Sequence, residues 1–314
     1  MSCADRTATP RPRVLCAGMA VQDHIFRLEA FPVPGSKTRA KEFASVVGGC
    51  AANAATAITR LGGEAALASP LGGPAGTDAV GDSVLAALAR EGVDCGRCVR
   101  VAGAVTGLSA VILDASGERL IVNHRDEGLS AARVADPAQA VRGCNAVLAD
   151  NRFASFVLPL CAAARAAGIP AVLDGDRPTQ ATDELLAVCS HVVFAADGLR
   201  ATAQCDDFAA ALERIAMRSS AFLAVTDGAN GVYWREAGAL RHLPALAVAA
   251  VDTLGAGDVF HGAFALALAE GVSDVAALRF ANAAAGLKCT RFGGGAGAPT
   301  RTEVEAALRG ADRI

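Results

Sequence analysis

The stretch 251-VDTLGAGDVFHGAF-264 places a Gly-Ala-Gly turn between two aspartates, directly before a long run of Ala, Leu and Phe. A glycine-rich turn that enters a helix leaves backbone N–H groups unpaired, and the helix dipole adds positive potential there. Gly255, Ala256 and Gly257 therefore predict an anion cradle. Asp258 would accept a proton from a hydroxyl while the amides hold the charge of a transferring phosphoryl group. The alternative is a plain turn in which Asp258 only caps the helix.

Apolar strand patterns alternate with alanine-rich helical patterns along the rest of the chain, which is typical of βαβ units on a parallel sheet. The predicted fold class is α/β, with a central, mostly parallel sheet flanked by helices on both faces. The predicted strands are 13–21, 65–72, 108–114, 119–124, 146–150, 170–176, 191–195 and 222–228. The predicted helices include 52–62, 78–92, 155–168 and 207–219.

Two more polar, extended stretches break this alternation, at about residues 21–46 and 99–127. They contain the turn signals 32-PVPG-35 and 114-DASGE-118. We expect them to form a small β-sheet lid over the carboxyl ends of the sheet strands, where open α/β sheets bind ligands. Residues 1–12 read as a disordered tail, and 13–314 as a single domain.

Composition excludes several classes of function. The net charge of −3 and the absence of a basic block give no reason to expect a nucleic-acid or membrane partner. The ten cysteines are scattered, mostly in apolar stretches, which favours reduced core residues in a cytoplasmic protein. Cys95 and Cys98 form a CxxC pair without a second pair at zinc-binding spacing, so no metal site is predicted there.

Two motifs carry a family resemblance. The segment 252-DTLGAGD-258 followed by FHGAF resembles the C-terminal signature of the ribokinase-like, PfkB-type carbohydrate kinases. The segment 47-VGGCAANAATAITRLG-62 resembles their N-terminal glycine motif. The resemblance extends over about residues 13–309. It implies a ribokinase-like fold, a sugar substrate with ATP and Mg²⁺ as cofactors, and a homodimer formed through the lid.

The resemblance also implies roles for individual residues. Asp258 matches the catalytic base that takes a proton from the sugar hydroxyl as it attacks the γ-phosphate of ATP. The matching anion hole is formed by Gly255, Ala256 and Gly257. Asp23, Gly48, Gly49 and Asn53 match the substrate-contacting positions of the family. As alternatives, Asp23 is a solvated carboxylate at a strand end, and Gly48 and Gly49 form a simple turn.

The nucleotide is expected along a second group of residues. Thr226 and Gly228, in 225-VTDGANG-231, match a strand-end turn that contacts phosphates, with an ordinary β-turn as the alternative. Asn282 and Gly294 lie in 282-NAAAGLKCTRFGGGAGAP-299, which resembles the wall of the adenine pocket. The resemblance adds two residues that open the C-terminal motif, Asp252 and Thr253.

The sequence departs from the family at one motif. Many relatives have an Asn-x-x-Glu that helps to organise magnesium and phosphates, whereas 194-FAADGLRA-201 aligns Ala195 and Gly198 with those positions. Mg²⁺ must still accompany ATP. Its protein ligands are therefore left unassigned, with water-mediated contacts to Asp197, or to Asp174 and Asp176, as the options.

Within the family, the sequence is most similar to kinases of 6-deoxy-6-sulfofructose, through 146-AVLADNRF-153, 172-VLDGD-176 and 287-LKCTRFGG-294. This likeness implies phosphorylation of O1 and a sulfonate held by Lys37, Asn123 and Arg152, a chemically sensible anion grip. Alternatively, Lys37 is a solvated charge and Arg152 pairs with Asp150 or Asp126.

Other functions stay open at this point. The trio of Lys37, Asn123 and Arg152 would also receive a phosphate, and fructose, ribose or a nucleoside remain alternatives. A sugar or nucleotide sensor that has lost phosphoryl transfer is a further alternative. A dinucleotide-dependent oxidoreductase is disfavoured because the first strand leads to 18-GMAVQD-23 and not to GxGxxG.

Overall fold

The structure is a computed structural model that describes residues 11–115, 118–179 and 182–311. The strands are β1 (Arg13–Ala17), β2 (Val21–Arg27), β3 (Glu42–Gly48), β4 (Glu64–Ala68), β5 (Pro70–Gly73), β6 (Val99–Ala102), β7 (Leu108–Leu113), β8 (Arg119–His124), β9 (Ala146–Asp150), β10 (Ala171–Gly175), β11 (His191–Ala195), β12 (Phe222–Thr226), β13 (Val232–Glu236) and β14 (Ala239–Leu243). The helices are α1 (Cys50–Arg60), α2 (Ala79–Arg90), α3 (Pro137–Val141), α4 (Ala154–Ala166), α5 (Thr182–Val188), α6 (Ala196–Ala203), α7 (Phe208–Ala216), α8 (Ala256–Ala269), α9 (Asp274–Cys289) and α10 (Arg301–Ala311).

The large sheet has eight strands in the order β14-β13-β12-β11-β10-β9-β1-β4. Strands β1, β4 and β9 to β12 pair in parallel, and β13 and β14 add an antiparallel edge. The predicted α/β architecture is confirmed. The carboxyl ends of the parallel strands share one edge, which is where such sheets bind ligands.

Helices cover both faces of this sheet and create two apolar layers. Helices α1, α2, α8, α9 and α10 supply one layer, which includes Ile58 and Phe264. Helices α3 to α7 supply the other, which includes Leu160 and Leu212. The low aromatic content suits this packing, because alanine-rich helices approach closely: a Cβ on Gly262 of α8 would lie 2.7 Å from the carbonyl oxygen of Ala54 in α1.

The second, small sheet has the order β3-β2-β7-β8 and is built from both predicted lid stretches. Its inner face packs through Ile25, Val111 and Leu113 onto Leu254, which lies just before the Gly-Ala-Gly turn. One lid boundary is wrong. Residues 99–102 form β6, which pairs in parallel with β5 because Val99 and Val101 pack against the core of the large domain.

Some features lie beyond the sequence predictions. The edge hairpin of β13 and β14 was not predicted, although buried and partly exposed residues alternate at the start of β13, as is typical of a half-buried strand. Most of the predicted tail, residues 1–10, lies outside the described residues. Among the helices that the structure describes, none combines the length and the apolar character needed to cross a membrane.

Candidate active site

The Gly-Ala-Gly turn leads directly into α8. Gly255 is the N-cap residue, with φ of 76°, a left-handed conformation that glycine adopts without strain. Asp258 is the third residue of the helix and is partly exposed, so the alternative reading of Asp258 as the helix cap is wrong. The first-turn amides have no intrahelical acceptor, although the N–H of Ala256 donates to the carbonyl oxygen of Thr253 at 3.2 Å. A Cβ added to Gly257 would meet no atom within 4 Å, so the turn faces open space.

Asn53 connects this turn to the N-terminal glycine motif. Its side-chain Nδ2 donates a hydrogen bond of 2.7 Å to Oδ2 of Asp258. Its Oδ1 accepts one of 2.9 Å from the backbone N–H of Gly295. One buried amide therefore orients the carboxylate of Asp258 and fastens the loop that follows α9.

Asp23 reaches the same region from β2. A Cβ on Gly48 would lie 1.9 Å from Oδ2 of Asp23, so glycine at this position makes room for the carboxylate. Burial raises the pKa of Asp23, a hydrogen bond from Ser109 opposes that shift, and the charge of Asp258 adds to it. The two carboxylates therefore face a common space.

The register of the small sheet brings a further polar side chain into line. Asp23 lies opposite Ser109 on β7, and Ser109 lies opposite Asn123 on β8. Neighbouring residues in register share one face of a sheet, so these three side chains form a polar row on the inner face. Asn123, an expected sulfonate ligand, is thus placed on the same face as Asp23, with Ser109 between them.

The other two expected sulfonate ligands are placed differently. Lys37 is exposed in the loop between β2 and β3, as expected for a solvated charge. Arg152 is half-buried after β9, and its guanidinium pairs with Asp176. The guanidinium thus pairs with Asp176 in place of the expected alternatives Asp150 and Asp126. From Arg152, Asp150 accepts the backbone N–H, at 2.9 Å, and its charge contributes to raising the pKa of the guanidinium.

Two arginines that the sequence reading missed lie beside Arg152. The guanidinium of Arg125 donates a 2.8 Å hydrogen bond to the carbonyl oxygen of Arg152 and lies over the ring of Phe153. Arg177 is joined to the same segment because Asn151, the residue before Arg152, donates to its carbonyl oxygen. Burial and the charges of Arg152 and Arg125 lower the pKa of Arg177, and Asp176 and Asp150 oppose that shift. Arg125 was detectable as the residue two positions after Asn123, although it lies just beyond the end of β8 at His124.

Asp150 is a buried positioning group at the end of β9. Its Oδ2 accepts hydrogen bonds from the backbone of Met19, at 2.7 Å, and of Ala51, at 3.2 Å. Burial raises the pKa of Asp150 to about 6, although backbone hydrogen bonds to its carboxylate oppose that shift. It joins the end of β1 to the start of α1, and a Cβ on Gly18 would lie 2.1 Å from its Oδ2.

A cluster of Cys50, Asp174 and Asp258 has its ligand atoms within 4.8 Å of one another. Mg²⁺ prefers oxygen and is held by one or two carboxylates together with phosphates, so the two aspartates suit it. The thiol does not, because burial raises the pKa of Cys50 well above its usual range and keeps it protonated. Burial raises the pKa of Asp174 to about 7, although the nearby His261 opposes this shift.

The missing Asn-x-x-Glu has a steric explanation. Gly198 lies in the first turn of α6, and a Cβ there would be 2.2 Å from the carbonyl oxygen of Gly175. The backbone of β10 therefore occupies the space that a glutamate would need. Asp197 pairs with Arg200 and its side chain is 97 % exposed, which leaves Asp174 as the better placed carboxylate.

The expected nucleotide residues divide into three groups. Thr226 and Gly228 lie at the carboxyl end of β12, on the sheet edge that carries the site. Two other side chains have structural partners: the amide of Asn282 donates to the carbonyl oxygen of Pro244 at 2.7 Å, and Oδ1 of Asp252 accepts the N–H of Leu254 at 2.8 Å.

The remaining two lie close to the catalytic turn. The hydroxyl of exposed Thr253 accepts a 3.3 Å hydrogen bond from Arg119 of the small sheet. Gly294 packs against the turn, since a Cβ on Gly255 would lie 3.1 Å from the Cα of Gly294. The glycine-rich loop that holds Gly294 therefore borders the Gly-Ala-Gly turn and Asn53.

Comparison with known proteins identifies the family of this fold and site. The model of the pfkB family of carbohydrate kinases matches residues 11–301. The chain belongs to the PfkB family of carbohydrate kinases. It is 28 % identical over 305 residues to the ribokinase of Haemophilus influenzae, covering 94 % of this chain and 97 % of that protein.

Solved structures agree with this assignment. A putative ribokinase from Agrobacterium tumefaciens is 37 % identical, with a TM-score of 0.92 over 98 % of this chain and 100 % of that one. The Arabidopsis thaliana ribokinase, solved with ribose and ATP, is 26 % identical with a TM-score of 0.81, covering 96 % and 99 %. This PfkB protein is thus a ribokinase-like sugar kinase, which is a phosphotransferase with an alcohol group as acceptor. It is not an oxidoreductase.

Proposed function

We propose that this PfkB kinase transfers the γ-phosphate of ATP to a hydroxymethyl oxygen of an anionic ketohexose, with O1 of 6-deoxy-6-sulfofructose as the preferred acceptor. The observation that carries the choice of an anionic sugar is the grouping of Arg125, Arg152 and Arg177 beside the polar row of the small sheet. Asp176 already pairs with Arg152, so an anionic substrate would be met by Arg125 and Arg177, and by Arg152 when that pair opens, whereas a neutral pentose has no anionic group for them to bind.

The proposed reaction is a direct in-line transfer. Asp258 accepts the proton of the sugar hydroxyl while its oxygen forms a bond to the γ-phosphorus, and the bond to ADP breaks with the electron pair leaving on ADP. The first-turn amides of residues 255–257 hold the negative charge that spreads over the transferring group. Asn53 keeps the carboxylate of Asp258 aimed at the hydroxyl.

The nucleotide and its metal are assigned to the same sheet edge. Thr226 and Gly228 would contact the phosphates, because a hydroxyl and a flexible backbone donor there suit that role. Asp174 would hold Mg²⁺, directly or through water. The ion would offset phosphate charge during transfer.

The sugar end opposite the reacting hydroxyl is assigned to the arginines. Against the effect of burial, the charges of Asp176, Asp150 and Asp174 raise the pKa of Arg152, and Asp174 belongs to the cluster that contains Asp258. A guanidinium fork suits the oxygens of a sulfonate. Asn123 would complete the grip from the small sheet when that sheet closes as a lid.

A panel of acceptors tests this proposal. We expect purified protein with ATP and Mg²⁺ to release ADP with 6-deoxy-6-sulfofructose at a kcat/KM at least about a hundredfold above that for ribose or fructose, since a matched charged contact is worth 2–3 kcal/mol. Fructose 6-phosphate separates a sulfonate site from a general anion site. ADP release that is fastest with ribose would contradict the anionic substrate, and no release with any sugar would contradict the kinase.

We also propose that a second copy of the chain covers the outer face of the small sheet. Phe43, Phe26, Ile112 and Leu120 form one cross-strand apolar row on that face. Phe43 and Val122 are each 59 % exposed, which is unusual for a patch without a partner.

Sedimentation analysis of the wild type should give twice the chain mass of 31.6 kDa. Val122→Glu should give the monomer mass, because a charge on that exposed apolar face opposes its burial. Met217→Glu, on the exposed end of α7, is the matched control and should stay dimeric. A monomeric wild type, or a dimeric Val122→Glu, would exclude this interface.

A further inference from the structure

Lys288, in the last turn of α9, is completely buried, with 0 % of its surface exposed. Lysine is almost never fully buried unless it is paired. Its ammonium Nζ donates to the backbone carbonyl oxygen of Asp252 at 2.9 Å and to Oδ2 of the same residue at 3.2 Å. Burial lowers the pKa of Lys288, and the charge of Asp252 opposes that shift.

Asp252 in turn fastens two loops to each other. Its Oδ1 accepts the N–H of Leu254 at 2.8 Å, within the loop that leads to the catalytic turn. Its Oδ2 accepts the N–H of Gly293 at 2.9 Å, in the loop after α9. Lys288 therefore places a buried cation against a buried carboxylate at the point where both loops meet.

Both loops continue to the reacting carboxylate. Gly294 packs on Gly255, and the N–H of Gly295 donates to Asn53. Asn53 donates to Asp258. A chain of direct contacts thus connects the buried ammonium to the proposed base, although Lys288 itself faces no substrate.

We propose that Lys288 is a positioning residue for phosphoryl transfer, an internal cation that holds the loops around Asp252 so that the amides of residues 255–257 and Asp258 stand in place. This inference rests on the proposed roles of those residues. A lysine that only stabilised the fold would affect the melting temperature and leave kcat of the folded enzyme unchanged. A positioning lysine changes kcat as well.

The test is Lys288→Met, which keeps the length of the side chain and removes the ammonium. At a temperature well below its melting point, we expect kcat to fall about a hundredfold, as a small misplacement of reacting groups does. The KM for the sugar should change less than about threefold, because Asp23 and Gly48 are not touched. The matched control is Leu278→Ala, a buried change in the same helix that lowers stability and should leave kcat near the wild-type value.

The double variant Lys288→Met/Asp252→Asn covers the case in which the single variant folds poorly. It leaves no uncompensated buried charge, so its melting temperature should recover toward the wild-type value. Its kcat should stay at least about tenfold low, since the ammonium is still absent. Recovery of kcat together with stability, or a normal kcat in folded Lys288→Met, would overturn the inference. These kinetic tests use as acceptor the sugar on which the wild type is most active. If the wild type phosphorylates no sugar, the proposed function fails, and the inference about Lys288 is not what has failed.

Discussion

Asp258→Asn is expected to lower kcat by about a hundred- to ten-thousand-fold, because a positioned general base contributes that much and the amide cannot take the proton of the sugar hydroxyl. The substitution is nearly isosteric, and its oxygen can still accept the hydrogen bond that Asn53 donates at 2.7 Å in the wild type. The melting temperature and the KM for the sugar should therefore change little. Steady-state kinetics with the preferred sugar, together with a thermal unfolding scan, measures both.

A second first-turn aspartate gives the matched control. Asp274 begins α9 and contacts His191 at the amino end of β11, on the sheet edge opposite the site. Asp274→Asn should keep the wild-type kcat. If Asp258→Asn keeps it as well, the base is another group, and Asp174 of the same carboxylate cluster becomes the residue to replace.

Local patterns predicted the elements that surround this carboxylate. The predicted strands 119–124, 146–150 and 191–195 have the bounds observed for β8, β9 and β11. These segments are short apolar runs limited by turn residues, so neighbouring residues determine them. The same is true of the turn that begins α8, where glycine, a small residue and a first-turn acid are all local signals.

The contacts between distant segments were not predictable in this way. Asn123 and Asp23 are 100 positions apart, and only the register of the small sheet places both beside Ser109. Lys288 stands near a helix end, where lysine is ordinarily solvated and favoured by the helix dipole. Only tertiary packing buries it against Asp252.

Because such contacts between distant segments are not predictable from the sequence, the roles implied for individual side chains agree with the structure in some cases and not in others. A motif predicts that a residue lies near the site, but the partner of its side chain depends on the neighbouring elements. Asn282 faces the loop at Pro244, and the carboxylate of Asp252 faces Lys288. Their implied contacts with the nucleotide stay predictions, whereas the structure supplies a positioning role for Asp252.

Arg152→Gln is expected to reduce kcat/KM for 6-deoxy-6-sulfofructose by about thirtyfold or more, because truncating one partner of a buried charge pair costs 2–5 kcal/mol. The values for ribose and fructose should change by less than about threefold, since neither sugar presents an anion to the guanidinium. For 6-deoxy-6-sulfofructose, the kcat/KM of Arg152→Lys should lie between those of the wild type and Arg152→Gln, because lysine keeps the charge and loses the planar fork. Initial rates with all three sugars give the comparison.

Two further variants separate substrate binding from a structural effect of Arg152. Arg235→Gln removes an exposed arginine that pairs with Glu213 on the far edge of the large sheet, and it should leave all three acceptors unaffected. Asp176→Asn removes the partner that Arg152 has in the structure, so the guanidinium is freer to bind an anion and the KM for the sulfonated sugar should fall or stay constant. If Arg152→Gln loses kcat/KM equally for neutral and anionic sugars, the arginine maintains the architecture of the site. A charge that recognises a sulfonate would affect only substrates that carry one.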